Sequence, residues 1–303
     1  MIRDSLVIVM VATLLSCAPM HAPGADSGVV GDGSPPSDNG SAEERCASLQ
    51  TDALCSGRGG LTLAYQVLSE VTRIEPGSEV LYDNGAAFFF LRGDCHYWVL
   101  ESIRTEVREG VTTAEEVNRR FDLPRLCGTS GAFRGSANDG STVRLATPML
   151  AVDCTFGCSG GAVPPALRQV SLDAFSAART FWEQAQPVTG GYRLMAVSGV
   201  KPLPATRVFD WPLPRPIATV SVTVEQAIDL DVGSSHAITD PIDVSLLTDL
   251  QHRYLAFSEF QRGPYIRIVS MGVEHALWMR RSIPLENDRG IIPVAALLSP
   301  PSQ

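Results

Sequence analysis

Residues 79–91, EVLYDNGAAFFFL, decide the fold class. Two apolar runs flank Asp83-Asn84-Gly85, and Asn-Gly takes up the positive φ angles of a two-residue hairpin turn with little strain. The stretch predicts antiparallel strands over 79–82 and 87–91. Working outward, 61–70, 96–101, 146–153, 192–200, 217–224, 265–270 and 276–281 also read as strands. Three helices interrupt them. One runs over 113–121, with Thr113 as N-cap and Glu116 three residues on, a capping box. A second runs over 171–186, where Leu172, Phe175, Ala178 and Trp182 share one face. Asp240 caps a third, with Pro241 at its first position and its end near Phe257. The expected class is α+β, antiparallel sheets with a few helices, and no repeat of fixed period is present.

Composition narrows the function classes. The chain has 303 residues, 45% hydrophobic and 19% charged, enough for a real core and too apolar for a wholly disordered chain. A pI near 5.1 argues against nucleic acid as a partner, because phosphate binding needs a basic face. Lys201 is the only lysine.

The first residues carry an address. Arg3 precedes an apolar run over 6–15, too short for a permanent span of a bilayer about 30 Å thick and the right length for the core of a secretory signal. The run ends in Leu14-Leu15-Ser16-Cys17, which resembles the lipobox of bacterial lipoproteins. That resemblance covers residues 1–18. It implies that 1–16 is a signal peptide removed in export, and that Cys17 carries diacylglyceryl and often a further, palmitate-type acyl chain. Two or three chains hold a protein stably at a membrane where one does so only marginally. The family's sorting rules treat Asp after the cysteine as a retention signal for the inner membrane. Ala18 stands there, so the implied location is the outer membrane.

From the lipidated Cys17 to Glu44 the chain reads as a disordered acidic tether. It has five acids (Asp26, Asp32, Asp38, Glu43, Glu44), no arginine or lysine, and no Phe, Tyr or Trp. Its 28 residues would hold the body roughly 30 Å from the headgroups. Arg3 and Asp4 cancel, so the chain's −9 less the tether's five acids leaves the body at −4. The sequence suggests a cysteine-containing lobe over 45–201, a proline-rich connection over 202–216 and a cysteine-free lobe over 217–303, with a single domain over 45–303, in which 202–216 is an extended loop, as the alternative.

Six cysteines remain beyond Cys17: Cys46, Cys55, Cys95, Cys127, Cys154 and Cys158. An even number in an exported chain implies three disulfides stapling the N-terminal half. Local pairing gives Cys46 with Cys55, Cys95 with Cys127 and Cys154 with Cys158. A metal site would want CxxC knuckles or clustered histidines, which the sequence lacks.

Several motifs suggest chemistry. Gly157-Cys158-Ser159-Gly160-Gly161 has the GxSxG pattern of a nucleophile elbow and resembles the serine loop of chymotrypsin-like proteases. An elbow needs a strand ending at the serine and a helix leaving from it, and Pro164-Pro165 interrupts the expected helix. Ser130, Cys154, Cys158 and His236 resemble, in order, the landmarks of papain-like proteases, with serine in the nucleophile's place. Ser198 and Lys201 have SxxK spacing, and Arg92-Gly93-Asp94 forms a turn before Cys95. Residues 280–290, RRSIPLENDRG, are the densest charge cluster of the body and read as a solvated strand end, or as a contact patch for a partner.

The reading that fits these signals is a membrane-anchored lipoprotein with a non-catalytic binding or structural role in the cell envelope. It needs no cofactor or metal; its partners are the membrane, through Cys17, and an envelope protein. The alternatives are a serine hydrolase using Ser159, with His252 or His275 as base and Asp240 as acid, and a polysaccharide-binding module using Trp98, Trp182, Trp211 and Trp278. The anchor makes a direct prediction. Cys17→Ser should leave the protein unprocessed or release it from membranes, measured by intact mass and detergent partition. An unchanged mass and an unchanged need for detergent would contradict the lipobox.

Overall fold

The computed structural model describes residues 48, 51–57, 59–69, 87–101, 106–126, 129–136, 141–155, 158, 160, 163–199, 207–223, 235–257, 265–286, 294 and 297. All of them belong to one compact unit, residues 40–303. In its first part, Leu61–Ser69 (β1) pairs antiparallel with Ala87–Arg92 (β2), and β2 pairs on its other side with His96–Glu101 (β3). Both edges of β2 are therefore filled. The strand expected over 79–82 lies outside the described residues, and the place a tight hairpin would give it beside Phe88–Leu91 is held by β1 and β3. The nine-residue β1 offers a longer ladder than a four-residue partner.

Val107–Val111 (β4), Gly131–Arg134 (β5), Ser141–Thr147 (β6), Leu150–Thr155 (β7) and Gln186–Pro187 (β8) complete an eight-stranded sheet in the order β5-β7-β6-β1-β2-β3-β4-β8. One face carries Leu63, Tyr65, Phe89, Leu91, Tyr97, Val99, Leu145 and Val152, and buries them under two helices. Ala114–Phe121 (α1) is capped as expected, the Thr113 hydroxyl accepting from the Glu116 N–H at 3.2 Å. Pro165–Gln184 (α2) begins six residues before the predicted start at 171. Pro165 sits at the opening of the helix, where its missing N–H is no loss and its fixed φ already suits the turn. The centre of this core is aromatic. Phe89 lies 5.4 Å from the Tyr97 ring, 5.0 Å from Phe121 and 4.8 Å from Phe181. Gly110 of β4 is required beneath Tyr97, since a Cβ there would come within 2.5 Å of its hydroxyl oxygen.

The second sheet begins directly after β8, ahead of the proline-rich stretch. It consists of Tyr192–Ser198 (β9), Val208–Asp210 (β10), Ser221–Thr223 (β11), His236–Ile238 (β12), Ile266–Ser270 (β13) and Val273–Arg281 (β14). The order is β10-β13-β14-β9-β11, and β12 shares the outer edge of β9 with β11. Residues 207–216 supply β10 and so take part in the sheet. Pro241–Leu255 (α3) covers one face through Leu247, Leu250 and Tyr254, against Leu194, Ile266, Ile268 and Leu277. Its cap is the predicted one: Asp240 accepts from the N–H groups of Ile242 and Asp243 at 3.0 and 3.2 Å.

The class is α+β and dominated by sheet, but the sheets are mixed. β5 with β7, β10 with β13, and β11 with β9 are parallel. The expectation of purely antiparallel sheets is corrected, because these three short strands add to sheet edges after longer excursions of the chain and no tight turn fixes their direction. Among the described residues no helix is long and apolar enough to cross a membrane.

The far face of the first sheet is also apolar. Ala64, Phe90, Trp98, Val107 and Ala146 form a cluster with Val188, Ile283 and Val294. The segment after β14 thus lies against the first sheet. Phe89, fully buried among three aromatic rings, is the most sensitive point of the main core. Phe89→Ala should cost about 3–5 kcal/mol in denaturant unfolding. A loss below about 1 kcal/mol would show that the aromatic cluster is not as packed as described.

Candidate functional site

The residues the sequence nominates for catalysis are not gathered into one site. Ser159 lies outside the described residues. β7 ends at Thr155 and α2 begins at Pro165, so neither strand nor helix meets the serine as an elbow requires. Cys158 is paired with Cys154, and Gly160 stands at φ 68° beside Ser136. His252 is exposed on α3 and Asp240 is committed to capping it. His275 is buried, its Nδ1 3.3 Å from the Ser221 hydroxyl, and burial pushes its pKa down toward the neutral ring. Ser130 accepts from the Ala151 N–H at the edge of the first sheet, whereas His236 is exposed on β12 in the second. The Ser198 hydroxyl donates to the Val222 carbonyl; Lys201 lies outside the described residues.

Other nominated residues also have internal roles. The Arg92 guanidinium donates to both Asp94 carboxylate oxygens at 2.8 and 2.5 Å, and that bond holds the Asp94 pKa at about 2. The Arg-Gly-Asp turn is closed on itself. Trp98 and Trp182 are core residues, while Trp211 and Trp278 are half-buried. Local disulfide pairing is corrected. Cys55 is paired with Cys95, Cα atoms 5.1 Å apart across 40 residues of sequence. The reason lies in the β1–β2 ladder. It sets Leu61 opposite Arg92, so the segment leading into β1 runs beside the turn after β2, tied by Gly57 N–H to Gly93 O at 2.7 Å. Cys154 and Cys158 pair as expected. Cys17, Cys46 and Cys127 lie outside the described residues.

Among the described residues of the 280–290 charge cluster, Glu286 is turned inward rather than solvated. Glu286 is only 1% exposed and its carboxylate is held from both sides, by Arg193 of β9 at 3.2 Å and by Arg280 of β14. Arg193 is itself 8% exposed. On the opposite face of the same strands, Arg281 lies over the Tyr192 ring at 4.0 Å and donates to the Gly190 carbonyl and to Thr248. The Tyr192 hydroxyl reaches Gln251 of α3 at 2.7 Å. These side chains tie strands, helix and the following segment together.

A surface feature of another kind sits at the far end of β14. β13 and β14 are joined by a two-residue turn, Met271-Gly272, between the paired Ser270 and Val273. Both turn residues have positive φ, 51° and 77°, the pattern of a type I′ turn, which favours Asn-Gly. Methionine in this backbone region costs roughly 1 kcal/mol relative to the residues that favour it. Met271 is 96% exposed, and the neighbouring Val273 is 52% exposed. An unbranched, polarizable apolar side chain is thus held out in water on a rigid ribbon. Sequence reading found both strands but not this turn; the Gly272 that closes it was the available signal.

Comparison with known proteins finds no matching family model, no similar curated protein and no similar solved structure.

Glu286 generates the prediction here. Removing it takes the shared anion from the buried Arg193 and the partly exposed Arg280; broken buried pairs typically lose about 3–5 kcal/mol, and the 27% exposure of Arg280 puts this loss at the lower end. Glu286→Ala should lower the unfolding free energy by about 3 kcal/mol, and Glu286→Gln by less. If both variants match the parent in urea melts, the cluster is not what holds the segment after β14.

Proposed function

We propose that the protein is a lipid-anchored component of a bacterial cell envelope that acts by binding another envelope protein, with the Met271-Gly272-Val273 tip as its contact. The lipobox resemblance of residues 1–18 supports the location, and the exposed, strained Met271 is the observation that carries the binding role. Selection for stability alone favours Asn or Gly at this point of the turn. A methionine there is useful when its flexible side chain fills an apolar socket on a partner.

A protein socket suits this tip better than a lipid surface. Binding to a bilayer scales with the apolar area inserted, and a single methionine with one valine offers little. The strands behind the tip carry the Arg267–Glu274 pair, which gives a polar rim around an apolar centre, the arrangement common to protein contacts.

A photo-reactive amino acid in place of Met271 tests this in living cells, with the same residue at Glu183 on α2 as control. The expected result is one protein adduct of defined mass at 271, absent at 183. Met271→Asn, which suits the turn, should raise stability by about 1 kcal/mol while weakening co-purification of that same protein. Adducts only to lipid, or identical patterns at both positions, would overturn the proposal.

A further inference from the structure

We infer that the outer edge of β10 takes up an acidic, extended segment of a partner protein as an added strand, with Arg207 pairing one of its carboxylates. β10 is an end strand of the second sheet and lies parallel to β13, with Val208 opposite Arg267 and Asp210 opposite Val269. Trp211 donates its N–H to the Val269 carbonyl at 3.0 Å, so by the alternation of a strand Phe209 and Trp211 turn their amides toward β13. The N–H and C=O groups of Val208 and Asp210 then point to the other side, where no strand among the described residues meets them. Solvent reaches this edge: Val208 is 40% exposed, and Arg207 and Asp210 are exposed as well.

The side chains make the edge selective. Arg207 and Phe209 stand on the face that α3 covers, and Val208 and Asp210 on the other. Phe257, just past α3, packs 6.1 Å from Phe209, and the Arg207 guanidinium lies 5.2 Å over the Phe257 ring. That contact holds the cation beside the edge, and among the described residues no carboxylate pairs with it. The neighbouring Arg253, over the Phe209 ring at 5.7 Å, is already paired with Asp249 at 3.0 Å. A strand laid along Val208–Asp210 gains main-chain hydrogen bonds that are blind to sequence, and its side chains are selected by alternation. A carboxylate on the α3 face meets the uncompensated guanidinium, and an apolar side chain on the other face covers Val208. A second copy of the chain fits less well. Two three-residue strands offer far less contact than the roughly 1,200 Å² of a stable protein interface, and the acid of β10, Asp210, stands on the opposite face from Arg207. The edge is separate from the Met271 tip, and its occupation does not depend on what Met271 touches.

Amide exchange followed by NMR in the purified mature protein, with and without the peptide acetyl-TVEVEVT-amide, tests this. Alone, the protein should protect the amides of Phe209 and Trp211 while those of Val208 and Asp210 exchange freely. Saturating peptide should slow exchange at Val208 and Asp210 by about tenfold or more. The lysine counterpart, acetyl-TVKVKVT-amide, should not bind. Nor should the acidic peptide N-methylated throughout, which keeps its charge and loses its donors. Arg207→Gln should weaken binding about fivefold, and Arg179→Gln, which removes an exposed charge from α2, should leave it unchanged. No protection by the acidic peptide at millimolar concentration, or equal protection by the lysine peptide, would overturn the proposal. So would Val208 and Asp210 amides already protected without peptide, whether in a dimer or by the chain's own acidic tether.

Discussion

The structure depends on a carboxylate with no access to water. Glu286 is taken out of solvent between Arg193 and Arg280, a placement that costs desolvation chiefly on Glu286 and Arg193 and is recovered while both guanidiniums stay in position. Its demands propagate. Arg193 and Arg280 lie opposite each other on neighbouring strands, so the carboxylate fixes β9 against β14 and draws the following segment across them. That segment carries Ile283 and Leu285 onto the far face of the first sheet. One ionic cluster therefore ties the chain's closing segment to both sheets. On the other face of the same strand pair, Arg281 and Tyr192 set the position of α3. An apolar cluster would give comparable burial with less directionality; three charged groups accept only one arrangement.

This rigidity bears on function. On the proposed function, a lipid-tethered body would stay within a short distance of its membrane and meet a partner there at high effective concentration, so that even a small contact would suffice. The hairpin of β13 and β14 is anchored deep in the second sheet, with Ile266, Ile268 and Leu277 fully buried, and it presents Met271 on a stiff support. Little ordering entropy remains to be lost when such a tip enters a socket.

What was legible in the sequence was local. Thr113 with Glu116, and Asp240 with Pro241, announce their helices because a cap is satisfied within three residues. The apolar runs around Phe89 and Tyr97 announce strands because each run is read within a few residues. What was not legible depends on the chain returning to itself. The parallel edge strands β5, β10 and β11 follow excursions whose direction no local pattern encodes. Cys55 meets Cys95 only because β1 pairs with β2, and spacing alone favoured the nearer partner. The charges at 280–290 read as solvated because most charges are; that Glu286 is buried depends on Arg193, 93 residues away. Met271 was passed over because a lone methionine between two strands carries no pattern, and its meaning comes from the sign of φ and from exposure.

The most direct test of the binding role compares methionine oxidation by dilute peroxide in the purified protein and in intact cells, read by mass spectrometry. Met149, 46% exposed on the turn between β6 and β7, serves as internal reference for Met271, 96% exposed. In the purified protein Met271 should oxidise faster. If its tip is seated in a partner, the order reverses in cells and Met271 becomes the slower of the two. The same order in both settings would show that Met271 stands in water in the living envelope, and would contradict the account.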